Sequence, residues 1–243
     1  MIIKKILNYS PNFSSVKRKP NQIKFIIFHY TGMKKEQEAI KRLTEIQSEV
    51  SCHYLVKNNG EIVCLVPDLY IAWHAGISSW KNYNYLNKNS IGIEISNPGH
   101  KFKYKKFSKK QINSILKLSK FLIKKYNIKS TNILGHSDIA PNRKKDPGEK
   151  FPWMYLSQNK IGYWHNINKR LLIKKRNLKI NTTEKIIFIK NLIKIGYVKN
   201  SIGKILEYSK TITVAFQRRF RQELINGIID KECLIISQNL AKK

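Results

Sequence analysis

The stretch IKFIIFHYT (23–31) is a compact apolar run, rich in β-branched and aromatic residues. A run of this length and composition is typical of a strand that is buried inside a sheet. A histidine, His29, stands close to its end. The run therefore predicts a buried strand that ends at a potentially functional side chain.

The segments that follow this strand alternate between helical and extended patterns. Residues 34–50 and 108–126 carry apolar residues at helical spacing, and Ser108 is well placed to cap the second helix. Residues 52–66 form two alternating runs around an Asn-Gly pair, which favours a tight turn and predicts a hairpin. This part of the chain is therefore predicted to contain both helices and paired strands.

Two further apolar runs complete the pattern: SIGIEISNP (90–98) and TNILGHSD (131–138) each predict a strand. Because helices and strands alternate up to about residue 170, we expect an α/β fold with a mixed central β-sheet flanked by helices. We assign residues 23–175 to this domain.

The two ends of the chain differ from its middle. Residues 1–22 are predicted to form an irregular N-terminal arm. Residues 181–243 have no strand pattern and are predicted to form a small three-helix domain. Its helices are expected at residues 183–195, 209–221 and 230–240.

The chain is strongly basic. It has 243 residues, with 47 Lys and Arg against 15 Asp and Glu, a formal net charge of +32. Such a charge attracts polyanions, including nucleic acid. The lysines are spread over the whole chain instead of forming one stripe, which favours a compositional bias over a specific nucleic-acid site.

Three histidines occupy similar positions in the pattern. His29 and His136 each lie towards the end of a predicted strand, and His74 lies in WHAG after the hairpin. Two histidines together with Asp146 can supply the three protein ligands of an open hydrolytic zinc site. Taken singly, a histidine at a strand end is more often a hydrogen-bonded core or loop residue, and no local ligand pair such as HExxH is present.

Glu94 is unusual because it stands inside an apolar strand. Strand periodicity places it on the same face as Ser90, Gly92 and Ser96, opposite the isoleucines of SIGIEIS. A small, polar face suits the floor of a cleft. A carboxylate there, close to a metal, is suited to act as a general base, although a glutamate facing solvent is the alternative.

Several short motifs occur over roughly residues 20–165. They are FHYT (28–31), WHAG (73–76), SIGIEISN (90–97), GHSDIAP (135–141), KKDPG (144–148) and FPW (151–153). In their order and spacing, these motifs together resemble the zinc-dependent N-acetylmuramoyl-L-alanine amidases of the AmiD/AmpD type (amidase type 2).

The resemblance implies a residue-by-residue assignment of the site. It places His29, His136 and Asp146 at the positions of the Zn²⁺ ligands. It places Glu94 at the position of the acid/base and Lys144 at that of the cation facing the scissile carbonyl. The implied reaction is hydrolysis of the amide bond between N-acetylmuramic acid and L-alanine in peptidoglycan or muropeptides.

Three more residues are implied to bind the substrate, namely His74, Trp73 and Asn97. Lys145 falls where the family varies and is expected to be a bystander. The segment TVAFQRRFRQELINGIID (213–230) resembles the peptidoglycan-binding-like helical module of the two-domain branch. We expect a monomer without a transmembrane segment.

The compartment is left open by two opposing expectations. The opening residues MIIKKILNYSPNF lack the long apolar region of a signal peptide, which favours the cytoplasm. The resemblance to the two-domain branch favours the cell envelope. Two other functions also remain alternatives at this point, a non-catalytic peptidoglycan-binding protein and a basic nucleic-acid-binding protein.

Overall fold

The computed structural model describes residues 5–197 and 205–242. Its strands are β1 (Lys5–Leu7), β2 (Phe13–Ser14), β3 (Phe25–Tyr30), β4 (Tyr54–Val56), β5 (Ile62–Cys64), β6 (Ile71–Ala72), β7 (Ser79–Trp80), β8 (Tyr83–Asn84), β9 (Ser90–Ile95) and β10 (Ile133–Gly135). Six of them form one sheet in the order β1-β5-β4-β9-β3-β10. β4 and β5 are antiparallel, as predicted for the hairpin, and the other neighbours in this sheet are parallel.

The helices flank this sheet, which confirms the predicted α/β class. They are α1 (Glu36–Thr44), α2 (Lys109–Tyr126), α3 (His136–Ile139), α4 (Trp153–Gln158), α5 (Lys169–Lys175), α6 (Thr182–Ile195), α7 (Ile205–Phe220) and α8 (Lys231–Leu240). The predicted cap of α2 is confirmed, because the Ser108 hydroxyl accepts a hydrogen bond from the Gln111 backbone N–H at 3.2 Å. None of the helices in the described ranges is long and apolar enough to cross a bilayer.

Strand β3, which lies between β9 and β10, is buried on both faces, as its apolar sequence predicted. Ile26 and Phe28 belong to a core that includes the apolar face of α2. Phe25 and Ile27 point to the opposite face and belong to a second core. Burial on both sides explains why this strand shows a continuous apolar run instead of alternation.

The second core joins the sheet to the C-terminal helical region, by which we mean residues 181–243. Phe188 of α6 and Phe216 of α7 lie in the same cluster as Phe25 and Ile27. The three predicted helices are present as α6, α7 and α8. Their assignment to a separate domain stays a prediction, and the structure adds that they share a hydrophobic core with the sheet.

The N-terminal segment differs from the irregular arm that the sequence predicted. β1 extends the main sheet by pairing in parallel with β5, and β2 pairs antiparallel with β6. Arg18 is buried and donates hydrogen bonds to several backbone carbonyls, including that of Ser90 at 2.8 Å. Strands of two or three residues give almost no periodic signal, which explains the difference. Residues 1–4 of the predicted arm lie outside the described residues.

Three neighbouring parallel strands determine where functional side chains collect. β9, β3 and β10 lie side by side with the same direction, so their carboxyl ends share one edge of the sheet. His29 pairs in register with Glu94, and Gly135, the residue before His136, pairs with Phe28. The sheet therefore brings all three side chains to one place.

Hydrogen bonds to the buried carboxylate of Asp68 hold the connection after β5 against α2. Asp68 accepts hydrogen bonds from the hydroxyls of Tyr54 and Tyr126, at 2.5 and 2.6 Å, and from the Lys125 ammonium group at 2.8 Å. Burial alone would raise the pKa of Asp68, but these three donors hold the pKa below its usual value.

Asp68→Asn is expected to lower the free energy of unfolding by about 2–4 kcal/mol at pH 7, because a buried, hydrogen-bonded charge is lost. The carboxylate contributes fully above its unfolded pKa of about 4, and this contribution disappears as the pH falls through the lower folded-state pKa. Urea unfolding should show that the difference in the free energy of unfolding between Asp68→Asn and wild type becomes smaller as the pH is lowered. Glu61→Gln, at an exposed ion pair with Lys57, is the control and should change stability by about 0.5 kcal/mol or less. A difference that stays constant down to pH 2 would contradict this role of Asp68.

Candidate active site

The three residues predicted as metal ligands converge below the cleft. The Nδ1 atoms of His29 and His136 lie 2.9 Å apart, and each lies 3.0 Å from Oδ2 of Asp146. All three side chains are buried. Within the described ranges they form a group whose geometry could hold a metal ion.

The backbone explains how residues ten positions apart meet. His136 is the first residue of α3, immediately after β10, whereas the sequence predicted an extended segment entering a loop. The following loop turns back because the Lys144 N–H donates to the Ala140 carbonyl at 3.0 Å. The Ser137 N–H then donates to the Asp146 carbonyl at 2.8 Å, which fixes the carboxylate beside the imidazole.

The Nε2 atom of His136, which points away from the other two ligands, can act only as a hydrogen-bond donor. It lies 3.1 Å from the carbonyl oxygen of Ala75, which can only accept. Nε2 therefore carries the proton, and Nδ1 presents a lone pair towards His29.

A longer hydrogen-bond chain fixes His29 in the same tautomer. The Ser90 hydroxyl donates to the Leu86 carbonyl at 2.6 Å, so its oxygen accepts from Nε2 of His74 at 3.1 Å. Nδ1 of His74 then carries a lone pair and accepts from Nε2–H of His29 at 3.0 Å. Nδ1 of His29 is left without a proton.

These tautomers make the site suitable for a cation. Burial, together with the neighbouring His136, lowers the pKa of His29 to about 4 against the opposing effect of Asp146, so the ring is neutral at pH 7. In the neutral tautomers that these hydrogen bonds select, two imidazole lone pairs and a carboxylate oxygen face one another. Such a set is electrostatically unfavourable alone and matches the nitrogen and oxygen ligands of a divalent metal such as zinc.

Glu94 lies on the strand next to His29, where the sequence placed it on a polar face. Its Oε2 atom is buried and has no hydrogen-bond partner among the described residues. Burial raises the pKa of Glu94 to about 8, with a further increase from Asp146 that Lys144 opposes. A cation bound by the three ligands would favour the ionised form. Glu94 is thus a proton-accepting group with no structural hydrogen bond at that oxygen.

The site opens into a cleft of about 910 Å³. Lys144, Lys145, Trp73 and His74 all line it, together with Glu94. Trp73 is 37% exposed and is accessible to a ligand. The cleft is also basic, and its other cationic lining residues are Lys34, Arg42, Lys101 and Arg143.

Asn97 is placed differently from the other residues predicted to bind substrate. It is buried, and its side-chain amide donates to the Lys105 carbonyl at 2.9 Å while its side-chain oxygen accepts from the Gly99 N–H at 3.0 Å. Its backbone carbonyl accepts from Gly32 N–H at 3.0 Å. The structure therefore uses Asn97 to hold the loops after β3 and β9, and does not bring it to the lining of the cleft.

The sequence placed Ser90 and Gly92 on the polar face of a strand and His74 in the cleft, but it did not indicate that these residues support the ligands. Ser90 and the Ala75 carbonyl set tautomers, and His74 does more than line the cleft. Gly92 provides the space for the His74 ring, because a Cβ atom there would lie 2.4 Å from the ring's Cγ. A glycine inside a buried strand was the available signal, since it commonly marks a close approach.

The sequence pattern of the N-acetylmuramoyl-L-alanine amidase family matches residues 19–149. The chain belongs to this family and is an enzyme, an N-acetylmuramoyl-L-alanine amidase.

Among its relatives, the chain is similar to AmiD of Escherichia coli (strain K12), with 37% identity over 91% of this chain and 83% of AmiD. It is 32% identical to AmpD of Haemophilus influenzae over 62% of this chain and 90% of AmpD. The fold is similar to that of E. coli AmiD in complex with the substrate anhydro-N-acetylmuramic acid-L-Ala-D-gamma-Glu-L-Lys. That match has a TM-score of 0.80 and 34% identity, and covers 94% of this chain and 91% of the other. AmpDh3 from Pseudomonas aeruginosa gives a TM-score of 0.79 at 28% identity, covering 96% of each chain.

His74→Phe is expected to weaken divalent metal binding by roughly 10–100-fold, because His29 loses the acceptor that fixes its tautomer. Phenylalanine keeps the ring that packs over Gly92. Competition with a chromophoric chelator measures the affinity. Trp73→Ala is the matched control, since it alters the adjacent cleft wall without touching a ligand, and it should leave metal affinity unchanged. Equal affinities for the His74→Phe variant and wild type would rule out this role for His74.

Proposed function

We propose that this amidase uses a zinc ion held by His29, His136 and Asp146. The observation that supports this most strongly is the convergence of two imidazole nitrogens and one carboxylate oxygen, which lie 2.9–3.0 Å from one another. Three protein ligands of this kind leave a position for water or substrate, as in other hydrolytic zinc sites. Zinc bound there would supply Lewis acidity that polarises a carbonyl and makes water more acidic.

We propose that Glu94 is the general base and then the general acid. It lies beside His29 in register, its Oε2 has no hydrogen-bond partner among the described residues, and it lines the cleft. In hydrolysis it would accept the proton of the attacking water and return it to the nitrogen of the leaving L-alanine. Both transfers need a carboxyl group whose pKa is close to the working pH, and burial provides this.

Lys144 is proposed to stabilise the negative charge that develops on the carbonyl oxygen. It lies two residues before Asp146, lines the same cleft, and is close enough to affect the pKa values of Glu94 and His29. Lys144 is half-buried, and a cation next to developing negative charge stabilises that charge. Lys145 also lines the cleft but is exposed, and it has no assigned role in this mechanism.

The proposed bond cleaved is the amide between the lactyl group of N-acetylmuramic acid and the L-alanine of the stem peptide. Support comes from the named activity of the relatives and from the muropeptide bound in the AmiD complex. We propose a monomer whose C-terminal helical region helps it to bind polymer. A cytoplasmic location implies soluble muropeptides as substrates, and an envelope location implies polymeric cell wall. Mass spectrometry of the products from intact sacculi and from anhydro-muropeptides distinguishes these two substrates.

We expect one tightly bound zinc per chain, with activity lost in chelator and restored by zinc. Asp146→Ala should lower zinc occupancy together with rate, because it removes the anionic ligand. Elemental analysis of the purified chain measures occupancy. A fully active wild-type protein without zinc would overturn the proposed cofactor and, with it, the ligand assignment.

Glu94→Gln is expected to retain zinc and fold but to lose roughly 10²–10⁴-fold in turnover, because glutamine keeps the shape and removes the base. Lys144→Ala should lose about 10²–10³-fold, comparable to removal of one oxyanion donor. Lys145→Ala is the matched control and should stay within a few-fold of wild type. Rates on an anhydro-muropeptide, measured alongside zinc content, test all three. A zinc-loaded Glu94→Gln variant with near-wild-type rate would remove Glu94 from the mechanism.

A further inference from the structure

We infer that Arg219 and Tyr197, both in the C-terminal helical region, are positioning residues for the metal site. They hold the carboxylate of Asp138, which in turn fixes the short helix that begins with His136. This inference rests on the proposed metal-binding role of His136. Both residues lie outside the segment assigned from sequence to the catalytic domain.

The carboxylate of Asp138 is buried and accepts three hydrogen bonds. Oδ2 accepts from the Gly135 N–H at 2.8 Å and from Nη1 of Arg219 at 2.5 Å. Oδ1 accepts from the Tyr197 hydroxyl at 2.8 Å. One of these donors is the residue before His136, and the other two come from a part of the chain about 60–80 residues further on.

The helix α3 requires such external support because it has only four residues. Helices this short are unstable by themselves, since forming the first turn costs more than it gains. A backbone hydrogen bond in the α pattern runs from the Ala140 N–H to the His136 carbonyl at 3.0 Å and closes its C-terminal end. The bond from Gly135 to Asp138 closes the same turn from its N-terminal side. The position of His136 therefore depends on where Asp138 is held.

Arg219 is suited to hold Asp138 because it contacts both sides of the turn. Its side chain is 1% exposed, and its Nη2 also donates to the Ile133 carbonyl in β10 at 2.9 Å. The guanidinium lies over the rings of Trp153 and Tyr163, at 4.3 and 5.2 Å from their centroids. These contacts restrict its orientation, so the strand and the helix that flank Gly135 are tied to one rigid group.

Tyr197 supplies the second anchor from a different element. It follows α6, and its ring packs edge-on against Trp80 with centroids 4.9 Å apart. It is fully buried, so its hydroxyl hydrogen bond to Asp138 is shielded from water. Two independent contacts from the C-terminal helical region thus converge on one carboxylate two residues from a proposed ligand.

The test compares two buried arginines of the same helix end in the full-length chain. Arg219→Met removes the contact to Asp138, whereas Arg221→Met removes an ion pair with Asp230 that stays within the C-terminal helical region. Tyr197→Phe removes one hydroxyl and keeps the ring. Zinc dissociation constants are measured by chelator competition, and hydrogen exchange of the peptide spanning residues 133–140 is measured in metal-free protein.

We expect Arg219→Met to weaken zinc binding about 10-fold and Tyr197→Phe about 3-fold, both with faster exchange in 133–140. Arg221→Met should lower the melting temperature yet keep wild-type zinc affinity.

Equal zinc affinity in wild type, Arg219→Met and Tyr197→Phe would overturn the inference. An equal loss of zinc affinity in Arg221→Met would also overturn it, because that result would indicate general destabilisation. If the Arg219→Met variant does not fold, the zinc affinity of Tyr197→Phe is compared with that of Arg221→Met. A loss in Tyr197→Phe alone then supports the inference, and equal affinities overturn it. Absence of zinc binding by wild type would instead reject the proposed cofactor.

Discussion

The parallel pairing of β3 with β9 and β10 is the constraint on which the rest of the site depends. It brings His29 beside Glu94 and ends β10 one residue before His136, so that two proposed metal ligands and the proposed base share one sheet edge. Everything else completes this arrangement. The loop after α3 returns Asp146 to the same edge, and the chain through His74 and Ser90 orients the ring of His29.

The proposed ligands, the proposed base and Lys144 were accessible from the sequence because each lies in a short motif whose order along the chain is distinctive. The central strands and α2 were accessible for a different reason, since long apolar runs and a good cap leave a strong local signal. The N-terminal strands left none, because their stability comes from pairing with β5 and β6. The anchor at Asp138 was hidden too, because its partners Arg219 and Tyr197 are remote in sequence.

The excess of positive charge makes the few acidic residues informative. Asp68, Asp138 and Asp230 are all buried, and each contacts a lysine or arginine from another segment. In a chain with so many cations these buried carboxylates connect different elements, because each can accept hydrogen bonds from donors on two or three of them. The surface lysines, by contrast, give the whole molecule a general attraction for anionic polymers.

The glycine in the middle of β9 has a consequence for anyone who wishes to move this site to another protein. Gly92 has no side chain because the imidazole of His74 occupies that space, on the strand next to the one that carries His29. A graft of His29, His136 and Asp146 alone would leave the first of these rings without its acceptor and free to adopt either tautomer. The smallest transferable unit is therefore the three adjacent parallel strands β9, β3 and β10 with the loops that carry Asp146 and His74. It also needs a glycine where strand propensity would choose a β-branched residue.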